Sequence, residues 1–381
     1  MTQPAHIALN AHLLSRAAGY RTAGIHGYID GLLRALPAAL PSDWRLTAFV
    51  GGLSPAQYDG MTMRRAAILG RPFDTESPMR RIIWEQALQP WELGGFDLHH
   101  ALAFAAPLWL RQPCAVTVYD LSFIHYPGRL PASRRLYLRL MISLTCQRAK
   151  AVFAISESTA RDVVATLNIP PDKVHVIAPG TDRGVYRPLD ADAVRAFRAA
   201  KGLPERFWLF IGTLEPRKNL PMLLEAYAAL PESKRLPLIL GGGKGWDYDP
   251  IFDAVARYRL ESWVQFPGFI PPDDLPFWYN GAEAFVYPSV FEGFGLPVLE
   301  AMACGTPVIV SEASSLPEVA GDAGIRIDPN DTSAWTAALK RAADDSDWRE
   351  MARQRGINQA ARFTWTEAAR RTAGVYRSIL G

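Results

Sequence analysis

The sequence predicts an α/β protein with two Rossmann-like domains, each built on a parallel sheet. Short apolar strands alternate with helical stretches along the chain, as in folds made of βα units. This pattern restarts near residue 205, after a polar connector at Arg187–Asp192. A length of 381 residues also exceeds what one hydrophobic core usually supports.

In the first half, each predicted strand is a run of apolar residues bounded by turn residues. The predicted strands are His6–Asn10, Leu46–Val50, Asp97–Ala101, Ala115–Tyr119, Ala151–Ile155 and Val174–Ile177. Helices are predicted near 24–39, 133–149 and 157–167. Ser156-Glu157-Ser158-Thr159 fits a helix cap, with a residue facing a cleft as the alternative.

The second half repeats this order and ends in an amphipathic helix, Trp365–Leu380. Its predicted strands lie near 207–212, 237–241, 263–266, 284–288, 307–310 and 324–327. We therefore expect an N-terminal domain at 1–186 and a second domain at 187–362, facing each other across a cleft. Residues 363–381 are expected to pack back toward the first domain.

Composition indicates a cytoplasmic protein. Apolar residues make up 49% and charged residues 21% of the chain, and no apolar run is long enough to cross a membrane. The N-terminus lacks a signal-peptide pattern. The only cysteines, Cys114, Cys146 and Cys304, are far apart and fit neither a metal site nor a disulfide set.

Positive charge is concentrated in the first half, with a net charge of +6 for residues 1–185 against −3 for the rest. This imbalance suggests an anionic partner such as a membrane surface, and is too weak to indicate nucleic acid. The basic stretch 129–150 is either a helix resting on anionic lipid or a half-buried helix with solvated arginines. Arg64-Arg65 and Arg80-Arg81 add a second possible basic surface.

The most informative segment is 291–305, which carries two carboxylates, Glu292 and Glu300. Glycines surround the first glutamate, a helix-forming run carries the second, and a strand precedes them both. Unpaired amide groups at such a helix start favour an anion. Carboxylates beside them suggest that hydroxyl groups are bound near a phosphate, as a nucleotide sugar would require.

A second segment, Gly212 to Leu220, follows the strand at 207–211 and contains Arg217 and Lys218. At the carboxyl end of a strand, these side chains are placed to contact a diphosphate. The alternative is a solvated charge pair at the start of a surface helix.

Together these segments resemble the retaining GT-B glycosyltransferases of family 4. The resemblance rests on Glu-Pro-Arg-Lys-Asn (215–219), Gly268-Phe269-Ile270, the long motif from Tyr287 to Val308, and Ser314 to Val319. It is strongest over 205–330 and looser over the whole chain.

The resemblance implies that the domain at 1–186 lies on the acceptor side and that the domain at 187–362 binds the nucleotide sugar. It also implies roles for the matching residues. Glu292 would hold hydroxyls of the transferred sugar, Glu300 the ribose hydroxyls, and Arg217 with Lys218 the diphosphate leaving group. The remaining implied donor-binding residues are Gly24, Gly212, Gly268, Phe269, Ile270, Ser289, Phe291, Gly293, Phe294, Gly295 and Leu296.

In the first half, Tyr20–Ile29 resembles the family's glycine turn, with Gly24 near the donor phosphate. His26 fits either a cleft position or a surface helix. Relatives commonly carry His-Asp where this chain has Tyr119-Asp120. Tyrosine is a poor base at neutral pH, so Asp120 is the candidate acid/base or acceptor contact, with Tyr119 beside it.

No metal or other cofactor is expected. Asp190-x-Asp192, Asp247-x-Asp249 and Asp345-x-Asp347 have the spacing of a metal-binding pair, but solvated acids explain them better. Gly241–Gly245 departs from the phosphate-loop spacing. It is either the edge of the donor site or a flexible turn.

The predicted function is metal-independent, retaining sugar transfer from a nucleoside diphosphate to a saccharide or lipid-linked saccharide in surface polysaccharide synthesis. GDP-mannose is the first candidate donor, and UDP-glucose or a deoxysugar nucleotide is the alternative. A sugar-nucleotide epimerase is disfavoured because the second half contains no histidine. A non-catalytic nucleotide-sugar binding protein is the remaining alternative.

Overall fold

The computed structural model describes residues 4–14, 24–50, 58–65, 67–68, 71–72, 78–126, 128 and 131–381. The chain forms two compact units. Unit 1 comprises Met1–Gly180 with Thr364–Gly381, and unit 2 comprises Thr181–Phe363.

Unit 1 is built on a seven-stranded parallel sheet with the order β3-β2-β1-β6-β7-β8-β9. The strands are β1 His6–Asn10, β2 Arg45–Val50, β3 Thr62–Arg65, β4 Ala67–Ile68, β5 Arg71–Pro72, β6 Leu98–Ala101, β7 Cys114–Val118, β8 Ala151–Ala154 and β9 Val174–Val176. The helices are α1 Ile25–Ala35, α2 Pro78–Ile83, α3 Gln89–Glu92, α4 Ser122–His125, α5 Ala132–Arg148 and α6 Glu157–Leu167, with a π-helical turn at Trp84–Leu88. Strands β4 and β5 form a separate antiparallel pair.

The central strands of unit 1 are buried on both faces, which explains why they read as continuous apolar runs. The basic stretch at Arg64-Arg65 lies in the edge strand β3, which the sequence pattern does not predict. Ser156 caps α6 by accepting a hydrogen bond from the Thr159 amide, 2.9 Å away. The cap is therefore the correct reading of that segment.

Unit 2 has a six-stranded sheet with the order β12-β11-β10-β13-β14-β15, again parallel throughout. Its strands are β10 Trp208–Ile211, β11 Leu238–Gly241, β12 Val264–Gly268, β13 Ala284–Tyr287, β14 Val308–Ser311 and β15 Ile325–Ile327. Its helices are α7 Ala191–Lys201, α8 Leu220–Ala228, α9 Asp249–Arg257, α10 Leu275–Gly281, α11 Leu296–Ala303, α12 Leu316–Ala320, α13 Thr332–Asp344 and α14 Ser346–Ala360. The strand order reverses between β10 and β13, which makes that position the switch point of the sheet.

The last helix, α15 Trp365–Leu380, belongs to unit 1. The Trp365 ring packs edge-on against Tyr28 and so closely on Gly31 that a Cβ there would lie 2.1 Å from it. Farther along, the Tyr376 hydroxyl lies 2.5 Å from His100 Nδ1, and Thr117 Oγ1 lies 2.8 Å from His100 Nε2. Burial lowers the pKa of His100, so the ring is a neutral structural element.

All three cysteines are free and buried. None of the helices in the described part of the chain combines the length and apolar character that a membrane span requires.

Candidate functional site

The candidate site of unit 2 is centred on the switch point of its sheet. Strands β10 and β13 are neighbours, with Trp208 paired to Ala284 and Leu209 to Phe285. The loops that follow β10 and β13 therefore begin side by side, at the carboxyl ends of the two strands. Open α/β sheets bind ligands at such a position.

Four charged side chains meet between these loops. Glu292 Oε2 accepts a hydrogen bond from Arg217 Nη1 at 2.7 Å, and Glu292 Oε1 accepts one from Lys218 Nζ at 2.5 Å. Glu215 pairs with Arg217 from the other side. Lys218 also donates to the Tyr287 hydroxyl at 2.7 Å. The formal charges of the cluster sum to zero.

The cluster is buried: Lys218 is 4% and Glu292 is 8% exposed. Burial alone would raise the pKa of Glu292, but Arg217 and Lys218 outweigh it and lower that pKa to about 2. Burial and the neighbouring Arg217 lower the pKa of Lys218 to about 8, although Glu292 opposes them. Glu292 is thus ionised at neutral pH, while Lys218 is close to losing its proton.

These contacts contradict the alternative of a solvated Arg-Lys pair. Arg217 also donates to the Phe291 carbonyl at 3.0 Å, so both basic side chains reach the loop after β13. Sequence reasoning missed Glu215 and Tyr287, which complete the cluster. Both lie within the segments already singled out, but no spacing rule indicates that their side chains converge.

Two serines bind the backbone of the turn that carries Glu292. Ser314 Oγ donates to the Glu292 carbonyl at 2.6 Å, and Ser315 Oγ lies within 3.0 Å of the Glu292 and Phe294 carbonyls. Gly295 caps α11 with a φ of 110°, a conformation that favours glycine. The first amide groups of α11, including that of Leu296, thus form the helix start predicted to favour an anion.

Ser289, in the loop after β13, also supports this turn through its backbone. The Ser289 carbonyl accepts a hydrogen bond from Ser311 at the end of β14, and Ser289 itself is fully buried. Gly293 and Phe294 are buried in the same turn. The loop after β13 is consequently fixed on both sides by its neighbours.

Glu300 lies one turn into α11 and is bound by tyrosines. The Tyr279 hydroxyl donates to Glu300 Oε2 at 2.9 Å. Burial raises the pKa of Glu300 to about 7, although hydrogen bonds from Tyr279 and Tyr186 oppose that shift. Tyr186 packs against Tyr279 with ring centroids 6.1 Å apart. Sequence reasoning missed both tyrosines.

The glycines of Gly241–Gly245 permit close contact between backbones. The Gly212 amide donates to the Gly241 carbonyl at 2.9 Å, and the Gly242 amide donates to the Gly268 carbonyl at 2.8 Å. A Cβ on Gly242 would lie 1.9 Å from the Gly212 carbonyl oxygen. Gly241 and Gly242 thus pack closely against the loop after β10 and the end of β12, whereas a Cβ on Gly243 would meet nothing within 4 Å.

The structure places the predicted Gly268–Ile270 stretch beside this contact. Gly268 has a φ of 78° and open space around its Cα. Phe269 is 42% exposed, whereas Ile270 is buried.

In unit 1, the predicted site residues lie at the start of α1 and directly after β7. Gly24 precedes α1 with a φ of 67°, residues 25–29 of the predicted turn form the start of α1, and its residues 20–23 lie outside the described residues. Tyr119 is buried, and its hydroxyl donates to the Leu102 carbonyl at 2.6 Å. This geometry gives Tyr119 a structural role, because its hydroxyl is already engaged and burial raises its pKa.

Asp120 is half-buried and lies two residues before the short helix α4. Its Oδ1 accepts hydrogen bonds from the Ser122 amide at 2.9 Å and hydroxyl at 2.7 Å. His26 occupies the first turn of α1, where burial lowers its pKa.

Sequence reasoning missed a buried polar cluster at the carboxyl end of β1. His12 Nδ1 lies 2.6 Å from Asn10 Oδ1, and His12 Nε2 lies 3.2 Å from Glu85 Oε1. Glu85 comes from the π-helical turn, and burial raises its pKa to about 7. Burial lowers the pKa of His12 well below its usual value, so the histidine is neutral at neutral pH, while Glu85 is partly protonated. Nothing in the spacing of residues 10, 12 and 85 signals this contact.

The three predicted Asp-x-Asp pairs serve local structure. Asp190 and Asp345 cap α7 and α14, and Asp249 is the first residue of α9. Within the described residues, no group of three or more His, Cys, Asp or Glu side chains is arranged to hold a metal ion.

Comparison with known families finds two matches. Residues 195–359 match the family described as glycosyl transferases group 1, and residues 23–184 match glycosyltransferase family 4. O-antigen chain mannosyltransferase B of Escherichia coli is 36% identical over 295 residues, which is 76% of this chain and 77% of that protein. Serotype-specific mannosyltransferase WbdA of Escherichia coli is 34% identical over 63% of this chain, but the match spans only 30% of WbdA.

Solved structures share the fold. Sucrose-phosphate synthase from Thermosynechococcus elongatus aligns with a TM-score of 0.77 and 24% identity, over 98% of both chains. Anabaena HepE in complex with UDP-glucose aligns with a TM-score of 0.75 and 19% identity, over 98% of this chain and all of HepE. The GT-B architecture expected from the sequence, two Rossmann-like domains with parallel sheets, is confirmed.

Proposed function

We propose a specific reaction for this chain, which belongs to the group 1, family 4 glycosyltransferases: transfer of mannose from GDP-mannose to a saccharide. The transfer retains the anomeric configuration and needs no metal. The observation that carries the proposal is the buried Glu215–Arg217–Lys218–Glu292 cluster at the switch point of unit 2. It supplies fixed positive charge beside a carboxylate, which is what a departing diphosphate and a sugar ring require.

The cluster suggests how the donor binds. Arg217 and Lys218 stabilise the diphosphate as the glycosidic bond breaks, because both can donate charge-assisted hydrogen bonds to the oxygens of the leaving group. Glu292 accepts hydrogen bonds from hydroxyls of the sugar, and Glu300 from those of the ribose. The backbone amides at Gly293–Leu296 contact the sugar and phosphates.

In the proposed step the acceptor hydroxyl attacks from the face that the diphosphate leaves. The bond between the anomeric carbon and the diphosphate oxygen breaks, and a bond to the acceptor oxygen forms. The acceptor proton passes to the departing diphosphate oxygen, so no side chain forms a covalent intermediate. Asp120 is the proposed acceptor contact.

The proposed donor and acceptor follow the relatives. The two Escherichia coli relatives are mannosyltransferases, and one is named for the O-antigen chain. We therefore place the reaction in surface polysaccharide synthesis, with a growing, lipid-linked saccharide as acceptor. UDP-glucose is the second candidate donor, because HepE has the same fold and binds it.

A product screen tests this proposal. The purified chain is incubated with GDP-mannose, UDP-glucose and further GDP- and UDP-sugars, with and without a mannose-containing acceptor. We expect GDP release with GDP-mannose to exceed that with the other donors, and the new linkage to be α, as in the donor. Release of UDP alone would show that the donor is a UDP-sugar and not GDP-mannose. A new linkage of inverted configuration would refute the proposed retaining reaction.

A control separates an enzyme from a binding protein. Slow release of nucleoside diphosphate without acceptor supports catalysis. Donor binding without any hydrolysis or transfer would support the non-catalytic alternative.

We also propose a peripheral membrane contact through α5. Leu136 and Leu140 are exposed on this helix, at 68% and 54%, beside the exposed arginines 134 and 139. Apolar side chains flanked by arginines suit an anionic lipid surface. Flotation with anionic liposomes at low salt tests the contact. If the protein does not bind the liposomes, the proposed membrane contact is refuted.

A further inference from the structure

A second site with basic side chains lies in unit 1, at the amino ends of the strands of its sheet. A cavity of about 380 Å³ opens there, bordered by residues 106–108 and 110–114, by Thr145 and by Ile379 of α15. Three cationic side chains line it, namely Arg111, Arg148 and Lys150.

The topology of unit 1 separates this cavity from Asp120, which follows the carboxyl end of β7. Cys114 is the first residue of β7, and Lys150 directly precedes β8, where its amide donates to the Cys114 carbonyl at 2.8 Å. The cavity therefore lies at the amino ends of these parallel strands. Ligands of the main site bind at the carboxyl ends.

The charge of the cavity is uncompensated. No aspartate or glutamate lines it, and none of its three cations forms an ion pair with any carboxylate in the described ranges. A fourth cation, Lys173, adjoins it: both Arg148 and Lys173 lower the pKa of Cys114, although burial outweighs them and raises it to about 11. The cysteine is thus a neutral thiol, and the positive charge of Arg111, Arg148 and Lys150 has no carboxylate partner among the residues that the structure describes.

We propose that this cavity binds a phosphorylated ligand through Arg111, Arg148 and Lys150. Three convergent cations suit the two to three negative charges of a diphosphate or phosphate monoester. The volume lies within the range of small-molecule sites and admits more than an isolated phosphate. The ligand is either a soluble phosphorylated compound or a phosphate-bearing lipid headgroup.

One neighbouring residue distinguishes these two sources. Trp109 belongs to the loop that borders the cavity and is 83% exposed. An exposed tryptophan beside a phosphate site is the arrangement expected where a side chain enters a membrane interface. A soluble ligand would not require it.

The test compares the intact chain with the double variant Arg148→Ala/Lys150→Ala. Both side chains are exposed, so the variant should fold normally. A matched control, Arg161→Ala/Arg183→Ala, removes two exposed arginines that lie outside the cavity lining. Unit 2 is unaltered at its charged cluster in all three proteins, so pyrophosphate bound there contributes equally to each.

Pyrophosphate binding is measured by calorimetry, and vesicle binding by co-sedimentation with phosphatidylcholine alone or with added phosphatidic acid. Loss of two charge-assisted contacts should weaken cavity binding by at least tenfold in the cavity variant and leave the control unchanged. An effect on pyrophosphate supports a soluble ligand. An effect on phosphatidic acid vesicles that Trp109→Ala shares supports a lipid headgroup. Equal binding by all three proteins in both assays would overturn the proposal.

Discussion

Lys218 and Glu292 depend on each other for both charge and burial. Removing one side chain leaves the other buried with less compensation, which costs free energy even before any donor is bound. The Lys218–Glu292 contact therefore contributes to both stability and catalysis. Two substitutions, compared with each other, separate its effect on stability from its effect on catalysis.

We predict that Glu292→Gln lowers turnover by at least about 100-fold, because the sugar and the cations lose their carboxylate. It should also lower the free energy of unfolding by about 1–3 kcal/mol, since Lys218 must shed its proton or remain poorly paired. Steady-state kinetics and urea unfolding measure the two effects.

The double variant Lys218→Met/Glu292→Gln provides the control. It removes both charges, so it should recover most of the lost stability but none of the activity. Near-normal turnover in either variant would refute the assignment of this site.

Glu300 and Lys218 together predict a narrow pH optimum. Glu300 has a pKa of about 7 and binds ribose hydroxyls best when ionised, so donor capture should rise as the pH passes 7. Lys218 has a pKa of about 8 and loses its charge above it, so capture should fall again. We expect kcat/KM for the donor to be bell-shaped, with a maximum between these values.

The variant Tyr279→Phe tests the acid limb. The Tyr279 hydroxyl stabilises the Glu300 carboxylate, so its removal should raise the pKa of Glu300 and move the acid limb to higher pH. Tyr258→Phe, at a half-buried tyrosine of the same unit, is the control. An acid limb that does not move would mean that another group controls it.

Among the elements, the contact between the loops after β10 and β11 fixes the position of the Arg217-Lys218 segment. Two adjacent glycines in that contact differ sharply. Gly242 has a φ of 147° and touches the Gly212 carbonyl, whereas a Cβ on Gly243 would meet nothing within 4 Å. Substitution of each of these two glycines therefore tests whether stability and donor binding need the close approach of the two loop backbones.

We predict that Gly242→Ala destabilises the protein by about 1–3 kcal/mol and raises the KM for the donor, because the two loops must separate. Gly243→Ala should change neither quantity appreciably. Thermal unfolding and donor kinetics measure both. Equal effects of the two substitutions would contradict the packing argument.

For the whole molecule, the final helix completes unit 1 although it is the last element of the chain. Tyr376 is fully buried and joins α15 to His100 on β6. A contact between residues so distant in sequence makes the fold of the first unit depend on the end of the chain.

We predict that Tyr376→Phe lowers the free energy of unfolding by about 1–3 kcal/mol, because a buried imidazole nitrogen loses its partner. Urea unfolding followed by circular dichroism measures the change, with Tyr258→Phe as control. An unchanged midpoint would show that α15 contributes little to the stability of unit 1.

The sequence by itself determined the fold class, nearly all strands of the two main sheets, and the segments around Arg217 and Glu292. These features are local: apolar runs, glycine turns and helix starts are written in neighbouring residues. The edge strand β3 and the π-helical turn escaped prediction because their patterns are weak.

Only the tertiary structure decided which side chains meet. It joined Glu215, Arg217, Lys218 and Glu292 into one neutral cluster, placed Tyr279 on Glu300, and buried Tyr119 with its hydroxyl engaged. It also revealed the His12–Glu85 contact and the basic cavity at the opposite edge of the sheet. Such contacts join residues tens of positions apart, and the burial that shifts their pKa values exists only once the sheets are assembled.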